Sequence, residues 1–152
     1  MPVNRSSILA DTLYFVKNDL INNVTDPDST KRPANSRFVM TSYPQRQSYY
    51  PLITIKATNI ESRQAGMQST LQDITLTLEI RIWARNEKEK DELYASVLNR
   101  LANIQFTSST GSVANGLVNL NVPSAVEVDE DGEGDKIIKS RIISVTYNFY
   151  SS

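Results

Sequence analysis

Two residue types that carry much of protein chemistry are missing from this 152-residue chain, which has no cysteine and no histidine. Without cysteine there is no disulfide, no thiolate metal site and no thiol nucleophile, and the redox compartment is left open. Without histidine the commonest general base and the commonest zinc ligand are gone, so any catalysis would fall to carboxylates, lysines, tyrosines and hydroxyls. An excess of one charge is missing too. Sixteen lysines and arginines stand against seventeen aspartates and glutamates, a net charge of −1, which gives no global attraction to nucleic acid or to a membrane surface and points to protein partners. No apolar run approaches the roughly 20 residues of a membrane span. The start, Met-Pro-Val-Asn-Arg-Ser-Ser, lacks the charged-then-apolar pattern of a secretory signal, so the expected location is the cytoplasm in which the chain is made. Asn23-Val24-Thr25 matches a glycosylation sequon, which has no meaning without secretion. There is no phosphate-binding Gly-rich loop, no Gly-x-Ser-x-Gly elbow and no dinucleotide fingerprint. The expectation is a protein that is not an enzyme and carries no cofactor.

What is present is a clear strand. From Asp73 to Ala84, Ile74, Leu76, Leu78, Ile80 and Ile82 alternate with Thr75, Thr77, Glu79, Arg81 and Trp83, the period of two that a sheet with one buried and one open face requires. Helical spacing takes over at once: Leu93, Val97, Leu101 and Ile104, with Tyr94 and Leu98 beside them, form an apolar stripe in a helix over 86–104, with Lys88, Lys90, Asp91, Glu92 and Asn99 on its wet face. Asn86-Glu87-Lys88-Glu89 has the form of a capping box at its start.

The rest of the chain fits around this pair as one domain, long enough to bury roughly two-thirds of its unfolded surface. Ser6 and Ser7 precede Ile8, Leu9, Leu13, Val16, Leu20 and Val24, the pattern of a serine-capped amphipathic helix over 6–23. A polar linker with two prolines, 25–35, reads as an exposed connection. Strands are expected at about 37–57, as a short run from Arg37 to Ser42 and a second from Tyr49 to Ala57, with Pro51 at a strand start or edge because it cannot donate to a ladder. Residues 59–72 are polar with little periodicity and read as a long arm, either solvated or ordered on a partner. Over 117–150, a short strand stopped by Pro123, an acidic turn and a last strand carrying Ile143, Val145, Tyr147 and Phe149 on one side complete the chain. The fold class is therefore α+β: a single mixed or antiparallel sheet with two helices on one face and the other face free.

Candidate sites are few. Glu127, Asp129 and Asp131 before Gly132 imitate the opening of a calcium loop, but Ile138 stands where the bidentate glutamate belongs and strands flank it, so no metal is expected. Glu87 and Glu89 are paired carboxylates whose place at a helix start favours the macrodipole over acid–base work. Trp83, the single tryptophan, falls on the polar strand face with Arg81 and Glu79. Tryptophan and arginine are over-represented at interface centres, so these three are candidate subunit contacts, unless a local loop covers the ring. Tyr49 and Tyr50, and Arg63 and Met67 in the arm, join them. Tyrosine stacking on single-stranded nucleic acid would need a basic groove that the neighbouring sequence does not supply.

Tyr50-Pro51-Leu52-Ile53-Thr54-Ile55, and Leu78-Glu79-Ile80-Arg81-Ile82-Trp83-Ala84 running into Asn86-Glu87-Lys88, within this order of helix, strand pair with arm, strand, helix and closing strands, resemble the tail terminator (tail completion) proteins of long-tailed bacteriophages. The resemblance covers nearly the whole chain as architecture and has no catalytic signature. It implies a virion protein of the tail and neck region, assembled in the host cytoplasm as a ring, typically a homohexamer. Such a ring caps the tail tube at its final length, contacting the major tail protein on one side and a neck or head-completion protein on the other. DNA would only pass through its lumen, and Asp129, Glu130, Asp131, Glu133 and Asp135 are candidates to line it. A neck or head-completion protein, and a non-viral protein-binding adaptor domain, are the alternatives.

Overall fold

The computed structural model describes residues 7–27, 29–32, 37–41, 49–64, 72–104, 118–131 and 137–151. In chain order these form α1 (Ile8–Asn23), β1 (Val39–Met40), β2 (Leu52–Gln64), β3 (Gln72–Ala84), α2 (Glu87–Ile104), β4 (Val118–Asp131) and β5 (Ile137–Ser151). One sheet holds all the described strands in the order β1-β2-β3-β5-β4. It is mixed: β1 runs parallel to β2, and every other pairing is antiparallel.

The alternation of β3 divides the layers. Ile74, Leu76, Leu78, Ile80, Ile82 and Ala84 are all buried. On this side of the sheet they meet Ile53 and Ile55 of β2 and Ile143, Val145, Tyr147 and Phe149 of β5, and the helices close the core with Ile8, Val16, Leu20, Leu93, Val97 and Leu101. Each fully buried aliphatic side chain contributes roughly 1.5–3 kcal/mol, so this face is the main source of stability. Both helices cover the same sheet face, as the period-two pattern of β3 requires.

The helix stripes differ in detail from the expectation. In α1, Thr12 is buried while Leu9 is 38% exposed, because the stripe runs through positions 8, 12, 16 and 20 at four-residue spacing. Ser7 stands at the N-cap, yet its Oγ donates to the Asp11 carboxylate at 2.8 Å instead of bonding a backbone N–H. In α2 the cap is formed: the Glu89 N–H donates to Asn86 Oδ1 at 2.9 Å. Glu89 then reaches back one residue further than a capping box does, accepting from the Arg85 N–H at 3.1 Å. Lys90, assigned to the wet face by sequence, is fully buried with its Nζ 2.5 Å from Glu87 Oε2. The long stem of the lysine is buried while its ammonium meets a carboxylate one turn back.

Three segment assignments also change. Asn59–Gln64 of the expected arm is strand, paired with Gln72–Thr77. The register slips between Ala57 and Asn59, with Thr58 as the extra residue and its Oγ1 donating to the Thr77 carbonyl at 3.2 Å. This bulge breaks the alternation, which is why 59–64 looked aperiodic; the connection at 65–71 lies outside the described residues. Pro123 does not stop a strand, because β4 continues through it, with register irregularities between Val118 and Ser124 where an edge strand tolerates a missing donor. Asp129, Glu130 and Asp131 are the last residues of β4, opposite Lys139, Ile138 and Ile137; 132–136 lie outside the described residues. No described helix is long and apolar enough to cross a membrane.

A candidate interaction surface

On the open side of β3, the side chains that sequence alternation assigned there are joined in cross-strand pairs. Trp83 Nε1 donates to Thr54 Oγ1 of β2 at 3.0 Å. The Arg81 guanidinium stacks 4.0 Å from the centre of the indole ring and donates to Ser140 Oγ of β5 at 3.3 Å. Arg81 and Trp83 thus form a platform bridging three strands. Such a cation–π contact is favourable by about 0.5–2 kcal/mol. One step along, Lys56 and Glu79, directly opposite in register, approach to 3.8 Å, a loose surface pair of little energetic weight. At the far end the buried Asp73 accepts from Asn148 Nδ2 at 3.3 Å. Thr75, Thr77, Glu79, Arg81 and Trp83 are all partly buried, none fully exposed.

The remaining sequence candidates are dispersed. Arg63 stands opposite Asp73 in register, and Met67, Glu133 and Asp135 lie outside the described residues. Tyr49 and Tyr50 are partly buried just before β2, and the Tyr50–Pro51 peptide is cis. Tyr49 belongs to a cluster that the sequence did not disclose, centred on Arg32. Its guanidinium holds Asp26 through two bonds of 2.6 and 3.0 Å and donates to the Tyr49 carbonyl at 2.9 Å and the Pro51 carbonyl at 2.5 Å. It also lies 5.2 and 5.3 Å from the rings of Tyr49 and Phe38. The Arg32 side chain is 6% exposed and that of Asp26 14%. The linker therefore is not simply an exposed connection: Arg32 ties Asp26 and itself to the start of β2. Nothing local marks this in sequence, since an Asp and an Arg six residues apart in a proline-containing stretch have no period to report.

A second hidden pair joins the helices. Arg100 donates to Asp19 at 2.8 and 2.6 Å, and the hydrogen bond to Asp19, reinforced by its charge against the cost of burial, raises the Arg100 pKa. Beneath it, burial pushes the Tyr147 phenol well above its ordinary value, and the negative charge of Asp19 adds to the shift. The Tyr147 hydroxyl and Thr12 Oγ1 are buried with no hydrogen-bond partner among the described residues. Arg141, on the helix side of β5, stacks 4.5 Å from the Tyr94 ring and lies 3.8 Å from Asp91, tying α2 to the sheet.

At the β1 edge, a groove of about 310 Å³ is lined by Ile21 and Val24 from the end of α1, by Asp26, and by Arg37, Phe38 and Val39. Ile21 is 48% exposed there. Among the described residues no group of three or more carboxylates is placed to hold a metal ion.

Comparison with protein-family models gives no match, and neither does comparison with curated proteins.

Proposed function

We propose that this chain is a structural virion protein that assembles into a ring, caps a phage tail tube at its final length and offers its outer surface to the neck or head. The observation that carries the reading is the asymmetry of the sheet. One face is closed by α1 and α2, while the other carries the Arg81–Trp83 platform and a row of partly buried polar pairs with no described helix over it. An aromatic and arginine pair on a regular sheet is a surface suited to repeated protein contact. The architecture of helix, strand hairpin, strand–helix and closing strands is the one on which the resemblance to tail terminators rests.

Electron microscopy of particles made without the protein tests the reading. Overlong tails are the expected result. Headless tails of normal length beside tailless heads would move the protein to the neck, and particles of normal form would overturn both assignments.

A further inference from the structure

The two edges of the sheet are β1 and β4, and among the described residues no strand lies outside either. We infer that β4 of one copy adds to β1 of the next, so that the chain self-associates head to tail through its sheet edges. The contact itself stands on strand direction and charge; closure into a ring rests on the function proposed above.

Strand direction comes first. β1 and β2 run one way, β3 the other, β5 back again and β4 against it. β1 and β4 thus point in opposite directions, and a copy continuing the sheet in the same orientation meets its neighbour antiparallel, the stronger ladder. The two edges are different surfaces, which is what a head-to-tail contact needs.

Register aligns the same two segments. Val39 pairs with Ile53, Ile53 with Ile82, Ile82 with Arg141 and Arg141 with Glu127. Val39 and Glu127 therefore stand at one height on opposite edges. Antiparallel pairing at that height sets Met40 opposite Val126 and Arg37 opposite Asp129. The half of β4 from Ser124 to Asp131 is free of register shifts, so it is the part able to extend a ladder.

Charge completes the match. Ser124–Asp131 carries Glu127, Asp129, Glu130 and Asp131 and no lysine or arginine. In register, Glu127 and Asp129 stand opposite Arg141 and Lys139 of β5, and Glu130 and Asp131 opposite Ile138 and Ile137. Arg37–Thr41 at the other edge has an exposed arginine and no carboxylate, and the nearby Asp26 is committed to Arg32. Like charges do not meet, and the acidic strand reaches an edge whose one described charge is Arg37. The groove beside β1 gives the incoming strand an apolar bed. In this arrangement the acidic end of β4 serves the subunit contact and not the lumen.

The absence of cysteine makes the test clean. Met40→Cys and Val126→Cys chains, each checked for folding by circular dichroism, are mixed at high concentration and oxidised. Facing residues of an antiparallel pair have Cα atoms about 4.5–5.5 Å apart, within disulfide reach. The expected result is a disulfide dimer in the mixture and little in either chain alone, with the double variant giving a ladder of multimers. Thr41→Cys with Ala125→Cys, one residue along, serves if a first variant does not fold. Multimers of the unsubstituted chain by light scattering without the mixed disulfide would overturn the edge contact and leave the ring standing. A strictly monomeric chain with no disulfide would overturn both.

Discussion

Removing Arg32 should destabilise the fold more than removing most aliphatic residues at its periphery, although neither composition nor motif singles it out. Arg32→Ala removes the two-bond partner of the Asp26 carboxylate, 14% exposed, and strips charge-assisted donors from the Tyr49 and Pro51 carbonyls. Breaking a buried pair on one side costs about 3–5 kcal/mol, and the loss of two ring contacts adds about 1 kcal/mol. Partial access of water to Asp26 offsets some of this, so the expected loss is about 3–4 kcal/mol, a large share of the roughly 5–15 kcal/mol by which domains are stable. Arg32→Lys should recover only about half, because an ammonium has the charge but not the planar fork that reaches a carboxylate and two carbonyls at once. Urea unfolding measures both as a lower midpoint at unchanged slope. Asp26→Ala combined with Arg32→Ala should cost less than the two single losses added together, since each removes the other's partner. A loss below about 1 kcal/mol for Arg32→Ala, full recovery by lysine, or simple additivity would refute the clamp.

Two further outcomes follow from the polar groups at the layers. The folded-state pKa of Tyr147 is raised above its unfolded value of about 10, so its contribution is intact below pH 10 and is lost as pH rises towards the folded value, at up to about 1.4 kcal/mol per pH unit. Tyr147→Phe should flatten that alkaline slope in urea titrations and cost little at neutral pH, where the hydroxyl has no hydrogen-bond partner among the described residues; an unchanged slope would refute the assignment. Trp83→Ala removes the donor to Thr54 and the ring under Arg81, so a folded variant that no longer associates by light scattering supports the open face as a contact, and normal assembly makes Trp83 a brace of the sheet.

The fold was legible where each residue's fate depends on its neighbours in sequence. Period two from Ile74 to Ile82 fixed a one-sided strand, and three-and-four spacing from Leu93 to Leu101 fixed the helix that follows, because local geometry repeats at those intervals. Legibility stopped at Thr58. A single extra residue shifts the register by one, so the positions opposite the buried residues of β3 move from 53, 55 and 57 to 60 and 62, and the alternation is lost in the sequence. It stopped also at Arg32 and Arg100, whose partners are chosen by the tertiary fold: Asp19 and Arg100 are 81 residues apart. The candidate surface was half legible. Alternation placed Glu79, Arg81 and Trp83 on one face, but their mutual bracing and the Trp83–Thr54 bond depend on the register of β2 against β3.

That distinction separates folding from assembly in this chain. The inward residues of β3 and the two clamps, Arg32 with Asp26 and Arg100 with Asp19, are committed within one copy, so substitutions there should lower stability before they alter association. The sheet edges are the reverse case. A lone strand edge is a liability that proteins blunt with charge, bulges and short strands, and this chain does so unevenly. The first half of β4 has Pro123 and its irregular register, and β2, which β1 pairs only at Ile53 and Thr54, has beyond that pairing its bulge at Thr58 and the exposed Lys56. The regular, acidic half of β4 and the two-residue β1 are blunted only against their own kind: two acidic edges repel, whereas an acidic edge and the Arg37 edge do not. In the proposed head-to-tail contact, charge at these edges would suppress like-with-like pairing while leaving the unlike pair open, the selectivity that a closed ring of identical subunits requires.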